Sequence, residues 1–316
     1  MAEQLISGGQ YKPEQNHKPK PGKKVRMNLS DRIFDFAIYG FAVVVMIIVI
    51  YPLYFIVIAS FSEPAAVATG QVWLRPHGFT LDGYRALLAN ESIWIGYRNT
   101  ILYAVVGTLI NLSVNIPAAY VLSRRDLFFG KPLTFYFLIT MFFSGGLIPI
   151  FLTVMRFGLF NTFWVMVLPF SVSVFHIIVA RTFFRNSLPA ELREAAEIDG
   201  CGNLRYFFTF VLPLSKAIIA VLALWSIVGH WNSFFTALIY LQDRNLFPLQ
   251  LILRNILIAG QLQGALGTGE AAQIALREAN LIRYSAIIVS TLPIMCLYPF
   301  IQKYFNKGVM IGAIKG

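Results

Sequence analysis

The sequence predicts an all-α integral membrane protein with six transmembrane helices, and two observations carry that reading. Over 316 residues it is 57% hydrophobic and only 13% charged, with a mean hydropathy of +0.65, too apolar for an ordinary soluble domain. Its charges also leave six charge-free windows, Phe36–Ser62, Asn99–Ser123, Pro132–Met155, Phe157–Ala180, Ala217–Gln242 and Tyr284–Gln302. Each is close to or longer than the roughly 20 helical residues that cross a bilayer core. Barrel strands would instead alternate over about ten residues, so helices are expected. The first window follows a polar stretch, is too long for a cleavable apolar core and has no small-residue cleavage site after it, which argues against a signal peptide.

The expected organisation is a basic tail over 1–32, disordered because it mixes Lys with Pro, Asn and Gln, a six-helix domain over 33–304, and a short basic tail over 305–316. The net charge of +11 invites a nucleic-acid reading, but the positions of the charges do not support one. If both termini are cytoplasmic, cytoplasmic segments hold 18 of the 26 Lys and Arg residues and the outer segments hold eight. That is the positive-inside bias, so a multi-pass membrane protein with both termini cytoplasmic is expected. Cys201 and Cys296 fall on different levels and make no disulfide framework, and the four histidines have no metal-ligand spacing.

Two outer segments are long. The first contains WLRPHGFTLDGYRALL, a turn-rich piece and then a short helical pattern; in the second, PLQLILRNIL reads as an amphipathic element, interrupted by GQLQGALGTGE before AAQIALREANLIRYS resumes a helical period. The one substantial cytoplasmic segment between spans is the loop over 187–213. Ser187 or Pro189 suits a helix start, Asp199-Gly200 a helix end, and Asn203 a second cap before an aromatic run of Tyr206, Phe207 and Phe210. Two short helices at an angle would make a knob for a partner's groove.

The wording of that loop, EAAEIDGCGNLRYFFTFVLPL, with EAA two residues before DG and LPL after an aromatic run, resembles the EAA loop of binding-protein-dependent ABC importer permeases. GHWNSFFTALIYL resembles the WN-x-F segment of the maltose-type carbohydrate permeases, and QKYFNKGVMIGAIKG resembles their C-terminal tail; the subgroup handling complex oligosaccharides is the most similar. The resemblance implies a type I ABC importer transmembrane domain. It implies a cytoplasmic coupling helix in which Glu194, Ala195, Ala196, Asp199 and Gly200, followed by Leu212 and Pro213, meet an ATPase. It further implies a second homologous permease, two cytoplasmic ATPase subunits, an extracellular solute-binding protein and an oligosaccharide substrate. ATP and Mg would be held by the ATPase, with no cofactor on this chain. The family usually carries Pro where Ala217 stands, three residues after the LPL leucine.

Gly22-Lys23 and Gly130-Lys131 lack the earlier glycine of a phosphate-binding loop, and no spacing suggests a nucleophile and base, so a non-catalytic subunit is expected. Thr108, Asn111 and Asn115 share one stripe of a helix that should end or bend near Pro117, and His230, Trp231 and Asn232 cluster mid-span. Amides, imidazole and a flat ring suit sugar hydroxyls and the apolar face of a pyranose, and the same groups equally suit hydrogen bonds between helices. An ion-coupled carrier is the less favoured alternative, because the six windows contain no Asp, Glu or Arg; a permease of the same class for another small solute is a second.

Overall fold

The computed structural model describes residues 29–266, 279–280, 282–297 and 299, all helices and connecting loops with no strand among them. The two tails, apart from the first helical turn at Leu29, lie outside the described residues, as do the resumed pattern at 271–278 and the end of the last window. The chain divides into two compact units, Met1–Pro52 and Leu53–Gly316. In the first, the described residues form the start of α1 (Leu29–Ser60), with nearly every side chain exposed although most are apolar. Such a surface is stable where hydrocarbon or another protein covers it.

In the second unit α1 ends beside α2 (Pro64–Ala68), and the expected short helix in the outer segment is α3 (Asp82–Ala89). The central element is α4 (Glu91–Ser123), capped by Asn90, whose side chain accepts from the Ser92 amide at 3.0 Å. It runs through Pro117 without ending there. Its principal partners are α7 (Val174–Ser187), α11 (Lys216–Trp231) and α13 (Leu249–Leu266).

By length and apolar character, two helices among the described residues can cross a membrane, and four can if each of two bent pairs is one span. The third window is not straight. α5 (Gly130–Phe142) and α6 (Leu147–Arg156) meet at 107° across Ser144-Gly145-Gly146, where Gly146 sits at φ 81°, ψ 179°, a conformation closed to other residues. The fourth window is no continuous helix. After Arg156 the chain makes a turn with Asn161 at φ 56°, a 3-10 turn at Phe163–Met166 and an irregular stretch to Ser173 before α7 begins. Apolar side chains between these residues hide the irregularity from any reading by composition.

The loop over 187–213 forms α8 (Ala190–Ile198), α9 (Asn203–Tyr206), a π-helical turn at Phe207–Val211 and α10 (Leu212–Leu214). Pro213 has no N–H to return to the carbonyl four residues back, which suits the widened turn before it. The axis then turns by 79° at Ser215 into α11, so the bend at the head of the fifth window is present with Ala217 in place of the usual proline. Asn232 and Ser233 separate α11 from α12 (Phe234–Tyr240). α13 runs on through 260–266, the first seven residues of the Gly-rich piece, and the remaining four, 267–270, lie outside the described residues. Among the described residues a further helix, α14, runs over Ile282–Leu297.

Candidate functional site

The clearest constructed site is the α8–α9 element. Pro189 supplies the extended residue before α8, and Gly200 ends it at φ 74° in a paired hydrogen-bond arrangement, Cys201 N to Ala196 O at 2.9 Å and Gly200 N to Glu197 O at 3.0 Å. The inner side is apolar: Ala196, Tyr206, Phe207 and Val211 are buried with Tyr120 of α4 and Phe184 of α7. The aromatic run is therefore the element's root in the bundle and not its outer knob, and Ala196, 6% exposed, is part of that root. Glu194, Ala195, Asp199 and Gly200 are exposed, Pro213 is exposed and Leu212 half-buried. Between them stand two apolar side chains that motif reading passes over, Ile198 at 86% and Leu204 at 77% exposure.

Polar groups hold this element to α4. The chain leaves α4 with Arg124 in an extended conformation, which brings Asp126 beside α8. Arg193 grips Asp126 with both terminal nitrogens, at 3.0 and 3.1 Å, and its Nε donates to Glu197 Oε1 at 2.7 Å. Arg124 donates to the same carboxylate through Nε at 3.0 Å and Nη2 at 2.6 Å, and its Nη1 reaches Asn203 Oδ1 at 2.9 Å. Asn203 is thus not a helix cap; Gly202 occupies the cap position and the Asn203 amide is engaged by Arg124. From α7, Arg181 Nε donates to the Leu122 carbonyl at 2.9 Å, tying down the last turn of α4. A hollow of about 420 Å³ lies over the network, bordered also by Arg125, Arg185 and Glu194. The Arg124 and then the Arg193 hydrogen bonds hold the Asp126 carboxyl far below the usual range, and its own bonds to Asp126 and then Glu197 hold the Arg193 guanidinium above its usual range. An isolated exposed pair contributes about 0.2–1 kcal/mol, and two-pronged contacts joined in a network are stronger and better oriented.

The residues expected to line a substrate path lie along the α4 seam. Asn111 Nδ2 and Asn115 Nδ2 both donate to the Ser171 carbonyl at 2.8 Å, Asn115 Oδ1 accepts from Ser173 N at 2.9 Å, and Asn111 Oδ1 lies 3.2 Å from His176 Nδ1. Thr108 is buried beside them. The His230 ring lies so close to Gly107 that an added Cβ there would overlap it, and Trp231 is buried with its Nε1 donating to the Ser290 carbonyl at 2.9 Å. Asn232 is exposed, its amide donating to the Val228 carbonyl at 2.9 Å. The bonding arrangement is that of interhelical and loop-holding groups.

The geometry of a turned, rooted element between apolar helices coincides with a family match. The profile for "Binding-protein-dependent transport system inner membrane component" fits residues 92–311. The chain belongs to this family. The permease is 38% identical over 292 residues to the polygalacturonan/rhamnogalacturonan transport system permease protein YtcP of Bacillus subtilis (strain 168), covering 91% of this chain and all of that one. It is also 38% identical to Protein LplC of the same organism, over 90% of this chain and 96% of that one. Among solved structures it resembles a chain in the crystal structure of a bacterial ABC transporter involved in the import of the acidic polysaccharide alginate, with a TM-score of 0.79 and 30% identity over 88% of this chain and 99% of that one. Family members are transport permease subunits, and this permease is a membrane component of an ABC importer.

Asn115→Ala removes a buried amide with three hydrogen bonds, taking the acceptor from the Ser173 N–H and leaving the Ser171 carbonyl with Asn111 alone of its two amide donors. It should lower stability by about 1–3 kcal/mol, whereas Asn232→Ala should change it by under about 0.5 kcal/mol; thermal unfolding of the detergent-purified protein distinguishes them. The depressed Asp126 carboxyl stabilises the folded element fully above the ordinary carboxylate range. That contribution fades as pH falls from about 4 toward the lowered folded value, so amide exchange in Glu194–Gly200, corrected for intrinsic rates, should speed up below about pH 4 and be level from pH 5 to 7.

Proposed function

We propose that this permease crosses a bacterial cytoplasmic membrane six times with both termini cytoplasmic, and that the α8–α9 element is its coupling helix. The observation that carries the reading is the pair Ile198 and Leu204, held out at 86% and 77% exposure on an element whose other side is rooted in the bundle. Exposed apolar side chains on a rigid projection fit a partner's groove. The partner is a cytoplasmic ATPase subunit, one of two in the importer, with Glu194, Ala195, Asp199 and Gly200 around the same contact. ATP and Mg belong to that subunit, and this chain is non-catalytic. A second, related permease completes the membrane pair, and a solute-binding protein docks on the outer loops.

The cargo is an oligosaccharide derived from a polysaccharide. We favour uronate-bearing chains, because relatives are named for polygalacturonan/rhamnogalacturonan and for the acidic polysaccharide alginate. In the proposed topology the eight outer basic residues are all Arg, Arg75 and Arg98 among them, and guanidinium pairs with carboxylate in two-pronged fashion. The substrate path runs along the α4–α11 seam. There Asn232 is placed for direct contact, while Thr108, Asn111, Asn115, His230 and Trp231 set the packing of its wall. Alternating access follows from closure of the ATPase dimer, transmitted through the coupling helices.

The test is purification of the tagged chain from its native membranes in mild detergent. The wild type should bring down an ATPase subunit and a second permease, and the double variant Ile198→Asp, Leu204→Asp should keep the permease and lose the ATPase. Retention of the ATPase by the double variant would overturn the docking assignment. In proteoliposomes of the recovered complex with its binding protein, labelled oligogalacturonides should be taken up and maltodextrins should not; the reverse preference would overturn the uronate assignment.

A further inference from the structure

We infer that Asp126 is a positioning residue that joins the coupling element to α4 as one body, so that a displacement of α8 is delivered to the membrane helices through α4. The inference rests on the coupling reading above.

Four observations support it. Asp126 lies beyond the last turn of α4, yet its two carboxylate oxygens are held by Arg193, 67 residues along the chain on α8, and by Arg124 at the α4 terminus. Arg124 also takes the Asn203 amide, so α9 is held by the same group of side chains. Arg193 is fixed in turn by Glu197 one helical turn on, which sets the direction of its guanidinium before it meets Asp126. Finally, α4 packs against α7, α11 and α13, so it is the helix through which a local push reaches most of the bundle. The apolar root beneath the element adds attraction, and a planar guanidinium that meets a carboxylate at two points adds direction to it.

The role differs from holding up the docking surface. Ile198 and Leu204 are carried on helices whose folding rests on the Gly200 turn and on Ala196, Tyr206 and Phe207, none of which touches Asp126 through a hydrogen bond. Loss of the carboxylate charge should therefore leave ATPase binding intact and loosen the joint.

The experiment uses the complete importer purified from its membranes, with Cys201 and Cys296 changed to Ser and spin labels at the exposed positions Glu191 on α8 and Leu109 on α4. With Asp126 present, the distance distribution between labels should be single and narrow, and the same without nucleotide and with ATP and vanadate. In Asp126→Asn the ATPase should co-purify as in wild type, and a second, displaced distance should appear with ATP and vanadate. Asp126→Glu should restore the single peak. Arg193→Lys, which keeps the charge and loses the two-pronged grip, should give the displaced peak at lower amplitude and covers the case in which Asp126→Asn does not fold.

Coincident distributions for wild type, Asp126→Asn and Arg193→Lys under both conditions would overturn the proposal while leaving the coupling reading standing, provided the ATPase is present. Release of the ATPase by a folded Asp126→Asn complex would also overturn it, assigning the carboxylate to the docking surface. A wild-type complex that holds no ATPase subunit would overturn the coupling reading and this inference together.

Discussion

A bundle of apolar helices has no water to offer an irregular backbone, so every departure from helix must be met by a side chain. In this permease the stretch before α7 is such a departure, and Asn111 and Asn115 meet it. Their amides converge on the Ser171 carbonyl and take up the Ser173 N–H, which starts α7 against the middle of α4. With that junction in place, α7 lies where Phe184 can pack on Tyr120 and where Arg181 can reach the last turn of α4. The α8–α9 element is rooted in the pocket that results.

The same helix thus serves two polar networks of different kinds. Near its middle, neutral amides in a buried seam hold backbone, and their removal would strand groups with no replacement partner. At its end, charged groups half in water hold one element to another, and their energy is modest because water competes for each ion. The first suits permanence. The second gives a contact that is well oriented and yet can be exchanged for water.

Part of this was legible in the residues themselves. Asp199-Gly200 reads as a helix end and is one, with Gly200 in the left-handed region, and the short helix expected in WLRPHGFTLDGYRALL is found at Asp82–Ala89. The polar stripe on α4 reads equally as sugar contact or as glue, and its hydrogen bonds have the form of glue. The aromatic run after Gly202 reads as part of a knob, but Tyr206 and Phe207 turn inward because the hollow between α4 and α7 is where their surface can be buried. Ile198 and Leu204 carry a weak signal, two apolar residues flanking the turn, that composition cannot separate from core.

Composition and charge spacing alone determined that the chain is helical, belongs in a membrane and keeps a polar, turned segment between apolar windows, because each of those follows from local chemistry summed along the chain. Only the tertiary structure decided that three of the windows are broken, at Gly146, before Ser173 and at Asn232–Ser233, that the asparagines hold backbone, and that Asp126 meets Arg193. Those depend on which groups come together from positions 56 to 67 residues apart, and pairing at such separation leaves no mark in the neighbouring sequence.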